Sequence, residues 1–132
     1  MRSDPLAVLF DTSVLIDFLR KKPEARALLS DLAARRITLA ISAVSVAELY
    51  AGMREHEEAE TAKLIDALEC LPLTARIAKK AGLIRGRQRQ LGRTFALDDM
   101  MIGATAIVYG FPLVTDNRKD FEIPEIELFP SN

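Results

Sequence analysis

The sequence holds one cysteine, one histidine and no tryptophan. A lone cysteine, Cys70, excludes an internal disulfide and agrees with a reducing cytoplasm. Leu68 and Leu71 on either side mark it as a small buried hydrophobe rather than a nucleophile. His56 lies among Glu55, Glu57 and Glu58 in a solvated stretch, so the His and Cys ligands of a zinc site are lacking. No apolar run approaches the roughly 18 residues a membrane span needs. The opening Met1-Arg2-Ser3-Asp4-Pro5 leads into a strand pattern without the regions of a signal peptide. Neither G-x-x-x-x-G-K-[ST] nor G-x-G-x-x-G occurs, which removes the usual nucleotide-binding loops. Charge of one sign is also missing: the net value is −1, so any contact with nucleic acid must come from a local patch.

What is present fits one soluble globular domain spanning 1–132, with 49% hydrophobic and 28% charged residues. Strand and helix patterns alternate, without repeats or a linker. An apolar run ends at Phe10, as in a strand covered on both faces, and Asp11 follows at its carboxyl end. A short helix over 13–20 is predicted next, with Val14, Leu15, Phe18 and Leu19 inward. A second helix opens at Pro23 and places Ala27, Leu28, Leu29, Leu32 and Ala33 on its apolar side. A strand over 37–41 precedes a helix from about Ser45, and the acidic stretch 55–60 is a solvated loop or the opening turn of a helix running to Cys70. Leu71-Pro72-Leu73 suits only an edge strand. Thr74 caps a helix to about Leu91 with Ile77, Ala81, Ile84 and Leu91 on one side. Another helix runs from Ala96 to Gly110, then strands over 111–115 and 126–129. The alternation predicts an α/β fold, a three-layer α/β/α sandwich around a mainly parallel sheet.

Acidic residues recur where such elements end: Asp11, Glu48, the pair Asp98-Asp99, then Asp116 and Asp120 with Asn117 between them. Each has a local explanation. Ser45-Val46-Ala47-Glu48 reads as a capping box, Asp98 as an N-cap, Asp99 as a first-turn acid and Asp116-Asn117 as a turn. In a parallel sheet, however, the segments after successive strands emerge at one edge, so these groups can converge. Two carboxylates about 4 Å apart repel by roughly 4 kcal/mol at an effective dielectric near 20. Several such pairs approach the total stability of a domain, about 5–15 kcal/mol. A cluster of that kind needs protons or cations, and oxygen ligands without His or Cys point to Mg2+ or Mn2+. The set therefore suits metal-dependent phosphodiester hydrolysis.

Four segments in order carry a resemblance. They are Leu9-Phe10-Asp11-Thr12-Ser13-Val14-Leu15-Ile16-Asp17, Ser42-Ala43-Val44-Ser45-Val46-Ala47-Glu48-Leu49-Tyr50-Ala51-Gly52, Leu97-Asp98-Asp99-Met100-Met101-Ile102-Gly103-Ala104-Thr105-Ala106 and Leu113-Val114-Thr115-Asp116-Asn117-Arg118-Lys119-Asp120-Phe121. Together they resemble the PIN-domain proteins, and among these the VapC-type toxin ribonucleases of toxin–antitoxin pairs. The resemblance implies a PIN-like fold and an endoribonuclease using water activated by carboxylate-bound Mg2+ or Mn2+. It implies catalytic positions at Asp11, Glu48, Asp99 and Asn117. Asp11 and Asp99 are expected to bind the ion, with Glu48 orienting water, binding a second ion, or both. Asn117 stands where the family has its fourth acid, so Asp116 or Asp120 is the alternative source of that charge. RNA as substrate, a cognate antitoxin and a homodimer are implied in the same way.

Two other readings are open to the residues. A haloacid-dehalogenase-like phosphatase needs a second Asp where Ser13 stands, which counts against it. A receiver-like or catalytically silent binding domain would share fold and acids. Arg85, Arg87, Arg89 and Arg93 are candidates to grip phosphates or to form a solvated helix face. Val14, Leu15, Phe18, Leu49 and Met53 are candidates for the antitoxin surface or for core.

Overall fold

The computed structural model describes residues 3–130. The ends of the expected domain, Met1, Arg2, Ser131 and Asn132, lie outside the described residues. Strand β1 (Ala7–Phe10) is buried along its whole length, as a central strand with both faces covered must be. It pairs with β2 (Thr38–Ser42) on one side and β4 (Leu113–Val114) on the other, and β3 (Glu69–Leu71) extends β2. All pairings are parallel, in the order β3-β2-β1-β4.

Alternation along the strands feeds two cores, because successive side chains point to opposite faces. Leu9, Ala40 and Leu113 pack with Ile77, Ile84 and Ile102, from α5 (Ala75–Gln90) and α6 (Leu97–Tyr109). Val8, Phe10, Ile41 and Val114 pack with Leu15, Leu32, Leu49 and Leu64. Those come from α1 (Thr12–Leu19), α2 (Pro23–Ala34), α3 (Ala43–Gly52) and α4 (Glu58–Asp66). The result is the expected three-layer sandwich. Each wholly buried Leu, Ile or Phe stabilises it by about 1.5–3 kcal/mol. Thr74 caps α5 by accepting from the Ile77 amide at 3.2 Å. Gly110 ends α6 at φ 71°, a conformation that costs glycine nothing.

Several local expectations are corrected. The helix before β3 stops at Asp66, and residues 69–71 join the sheet instead; Cys70 is exposed there because β3 is an edge strand with an uncovered flank. The final strand over 126–129 shrinks to a single bridge between Leu113 and Leu128, closed off by Pro130 with its missing N–H. Ala27, Ala33 and Leu91 face solvent, since the stripe of α2 runs through Ala25, Leu29 and Leu32 and Leu91 lies past the end of α5. Ser42 caps α3, its Oγ accepting from the Ser45 amide at 3.1 Å, so Ser45-x-x-Glu48 is no capping box. Helix α6 begins one residue before Asp98, with Ala96 as N-cap, so Asp98 sits in the first turn and caps nothing.

Candidate active site

The strand ends deliver Asp11 to a crowded place. Its amide donates to the Val114 carbonyl at 2.9 Å, which ties the end of β1 to β4. Its side chain is buried, 4% exposed, and does not cap α1. Instead Oδ2 accepts from Ser13 Oγ and from Thr115 Oγ1, both at 2.8 Å. Thr115 Oγ1 also accepts the Asn117 amide at 2.9 Å. The carboxylate is thus held from both sides through one oxygen.

Glu48 is reached through a chain of hydroxyls. Thr12 Oγ1 donates to Glu48 Oε1 at 2.7 Å and lies 2.7 Å from Ser45 Oγ. Thr12 has one hydroxyl proton, so Ser45 is the donor in the second contact. Ser42 Oγ donates onward to Ser45 Oγ at 3.4 Å. Ser42 and Ser45 are buried and hold Thr12 aimed at the glutamate. The Glu48 carboxyl is raised above its ordinary range, first by burial and then by Asp98, close enough to share a proton; the Thr12 hydroxyl opposes this.

Asp99 is the most perturbed of the group. Its carboxyl is pushed up to about 7, first by burial and then by the charges of Asp98, Asp11, Asp120 and Glu48. Asp11, Glu48 and Asp99, expected to converge, therefore feel one another. Asp120 adds its charge to Asp99 from the turn Arg118–Phe121. Asp116 is raised first by burial and then by Asp17, with Asp11 a smaller influence, so it faces α1 rather than Asp99. Asn117 is exposed, and its recorded tie to the site is through its backbone amide.

Two participants were not legible as site residues, Thr115 and Ser45; Asp98, one of the acids expected to converge, acts on Glu48 and Asp99. A hydroxyl ending a strand beside the Asp-bearing strand is the one signal that pointed to Thr115. Gly103 lets α6 approach the segment 121–126: a Cβ there would lie 2.6 Å from Ile126 Cδ1 and 3.7 Å from Phe121 Cδ1. Of the candidate phosphate grips, Arg85 Nε donates to the Phe95 carbonyl at 2.8 Å and Arg93 to the Glu122 carbonyl at 2.9 Å, so both brace loops. Val14, Leu15 and Leu49 are core, while Phe18 and Met53 are half-buried.

The donors suit a hard divalent cation. Among the described residues no three Asp, Glu, His or Cys side chains form a ready ligand set. Mg2+ needs only one or two carboxylates and keeps several waters. Asp11, with both hydroxyl donors on one oxygen, and Asp99, crowded by negative charge, are two that could serve.

Comparison with known proteins gives a consistent result. Residues 8–125 match the model of the PIN domain. Ribonuclease VapC10 of Mycobacterium tuberculosis is 40% identical over 119 residues, covering 89% of this chain and 88% of the relative. A toxin–antitoxin complex from Klebsiella pneumoniae superposes with a TM-score of 0.75 at 30% identity, over 91% of this chain and 95% of the other. DNA-bound VapBC from Salmonella typhimurium gives 0.84 at 27% identity, over 95% and 98%.

Proposed function

This chain belongs to the PIN-domain family, and from that premise we propose that it is a metal-dependent endoribonuclease, the toxin of a toxin–antitoxin pair. The observation that carries the reading is the gathering of Asp11, Glu48 and Asp99, from the end of β1, from α3 and from the start of α6, with Glu48 and Asp99 raised by burial and by the acids around them. The likeness to a named ribonuclease and to a toxin–antitoxin complex supports it. Asp11 and Asp99 would hold the cation, Mg2+ or Mn2+. When bound, that ion supplies Lewis acidity toward water and toward a phosphodiester oxygen. Glu48, with its raised carboxyl, accepts a proton from the attacking water, and the Thr12–Ser45 chain fixes its rotamer. Ser13 and Thr115 fix Asp11. Asp120 supplies the fourth acid, and Asn117 marks the rim.

No side-chain nucleophile is required, in keeping with a single histidine and with Cys70 on the edge strand β3 rather than beside the acids. The antitoxin covers the small cleft lined by Ile16, Leu19 and Met53, which opens beside Glu48. Among the described residues no helix is long and apolar enough to cross a membrane; we place the pair in the cytoplasm. The test is cleavage of single-stranded RNA with Mg2+ or Mn2+ by the wild type and by Asp11→Asn. The variant is expected to stay folded and to lose activity at least ~100-fold, the scale of losing preorganised charge stabilisation. A chelator abolishes wild-type cleavage. Equal cleavage by both proteins would refute the mechanism, and no cleavage of any RNA by the wild type would favour a silent domain.

A further inference from the structure

Helix α5 is charged with one sign. Arg76, Lys79, Lys80, Arg85, Arg87 and Arg89 fall within its 16 residues, which hold none of the 19 Asp and Glu of a chain with net charge −1. Ile77, Ala81 and Ile84 take the buried face, and the cations ring the remaining arc. Arg76, Lys79, Arg87 and Arg89 are exposed. Among the described residues, Lys80 is the one cation of α5 with a salt bridge, to Glu125 at 2.9 Å. A surface helix selected for its own stability mixes signs, since like charges four residues apart destabilise it. Here Arg76 and Lys80, and Arg85 and Arg89, stand at that spacing. The charge is therefore better explained by something outside the helix.

Its position indicates what that is. The turn 91–96 joins the basic end of α5 to the start of α6, where Asp98 and Asp99 lie. Arg85 and Arg93 brace that turn, the Arg93 guanidinium stacking 5.1 Å from the centre of the Phe95 ring. The acidic centre by itself repels a polyanion, so a phosphate-bearing substrate needs an attractive surface beside it. Building on the ribonuclease reading, we propose that the outward face of α5 is where single-stranded RNA is held, its phosphates on Arg76, Lys79, Arg87 and Arg89. Such contacts position a strand without reading its sequence.

The test measures binding apart from cleavage. A labelled single-stranded RNA is titrated with full-length Asp11→Asn protein in chelator, across a range of salt. A second protein adds Lys79→Gln, Arg87→Gln and Arg89→Gln, leaving Arg85 and Arg93 to hold the turn. A third adds Lys21→Gln, Arg36→Gln and Lys63→Gln, which are distant in sequence from α5. The α5 variant is expected to bind at least ten-fold more weakly. Its slope of log affinity against log salt should fall by about 2, at roughly 0.7 per phosphate contact on a single strand. Thermal melting confirms folding, and Arg87→Lys with Arg89→Lys should retain affinity. Equal losses in the second and third proteins, an unchanged slope, or no RNA binding by the parent would each overturn the proposal. So would a variant that keeps RNA affinity and loses its antitoxin, which would assign the face to a protein partner. Wild-type cleavage, assayed in parallel, reports separately on the ribonuclease reading.

Discussion

At the scale of single residues, Asp99 shows what the site costs the fold. Its carboxyl titrates at about 7 in the folded chain against an ordinary 3.8. The folded state therefore binds the proton more tightly than the unfolded one. Without metal, this residue's contribution to stability is whole below the ordinary value and is lost as pH rises toward 7. Asp99→Asn removes the charge at every pH. In chelator at pH 7–8 the variant should be more stable by on the order of 1 kcal/mol, a figure reduced for screening at a half-exposed group. That corresponds to about 3–5 °C in Tm, and the advantage should vanish near pH 4. A melting series from pH 4 to 8 checks this. A variant less stable at pH 8 would mean that Asp99 is not opposed by its neighbours.

At the scale of elements, the fit of α6 against the segment 121–126 brings Asp120 within reach of Asp99. Gly103 makes the fit possible, with Ile126 and Phe121 pressed over it. Gly103→Ala gains helix propensity of about 1 kcal/mol, which offsets displacement of the flexible Ile126 tip, so its net effect should be within about 1 kcal/mol. Gly103→Val has no such escape and should destabilise by ~2–4 kcal/mol through overpacking and a strained rotamer. It should also reduce cleavage in the fraction that stays folded. Denaturant titration and an activity assay separate the two effects. A neutral Gly103→Val would show that the segment yields freely.

For the whole molecule, the acids draw on the stability that the two cores supply, and a cation returns part of it. Since the unfolded chain has no assembled site, Mn2+ or Mg2+ should raise Tm, by the equivalent of about 2.7 kcal/mol at a hundred times Kd. The shift should disappear in Asp11→Asn. Melting curves against metal concentration decide it, and an equal rise in both proteins would place the ion elsewhere.

The chain's own pattern determined the three-layer parallel architecture, because an uninterrupted apolar strand and amphipathic helices leave few other ways to bury their faces. It also offered Asp11, Glu48 and the pair Asp98-Asp99 for one place, with the resemblance selecting Asp99: parallel strands release the segments after them at one edge, and α6, which leads into β4, runs back from that edge. Cap identities, the shortened last strand and the exposed Cys70 were decided by tertiary contacts, which one-dimensional periodicity does not record. Only the folded chain assigned the hydroxyls: in the sequence Thr12 and Ser13 suit a helix cap and a bond to the site equally, and Thr115 ends a strand pattern. Hydrogen bonds between residues 33 to 104 positions apart turn them into the supports of Glu48 and Asp11. For the fourth acid, sequence order offered Asp116, Asn117 and Asp120 alike. Only the tight turn Arg118–Phe121 sets the Asp120 charge against Asp99, while Asp116 turns to Asp17.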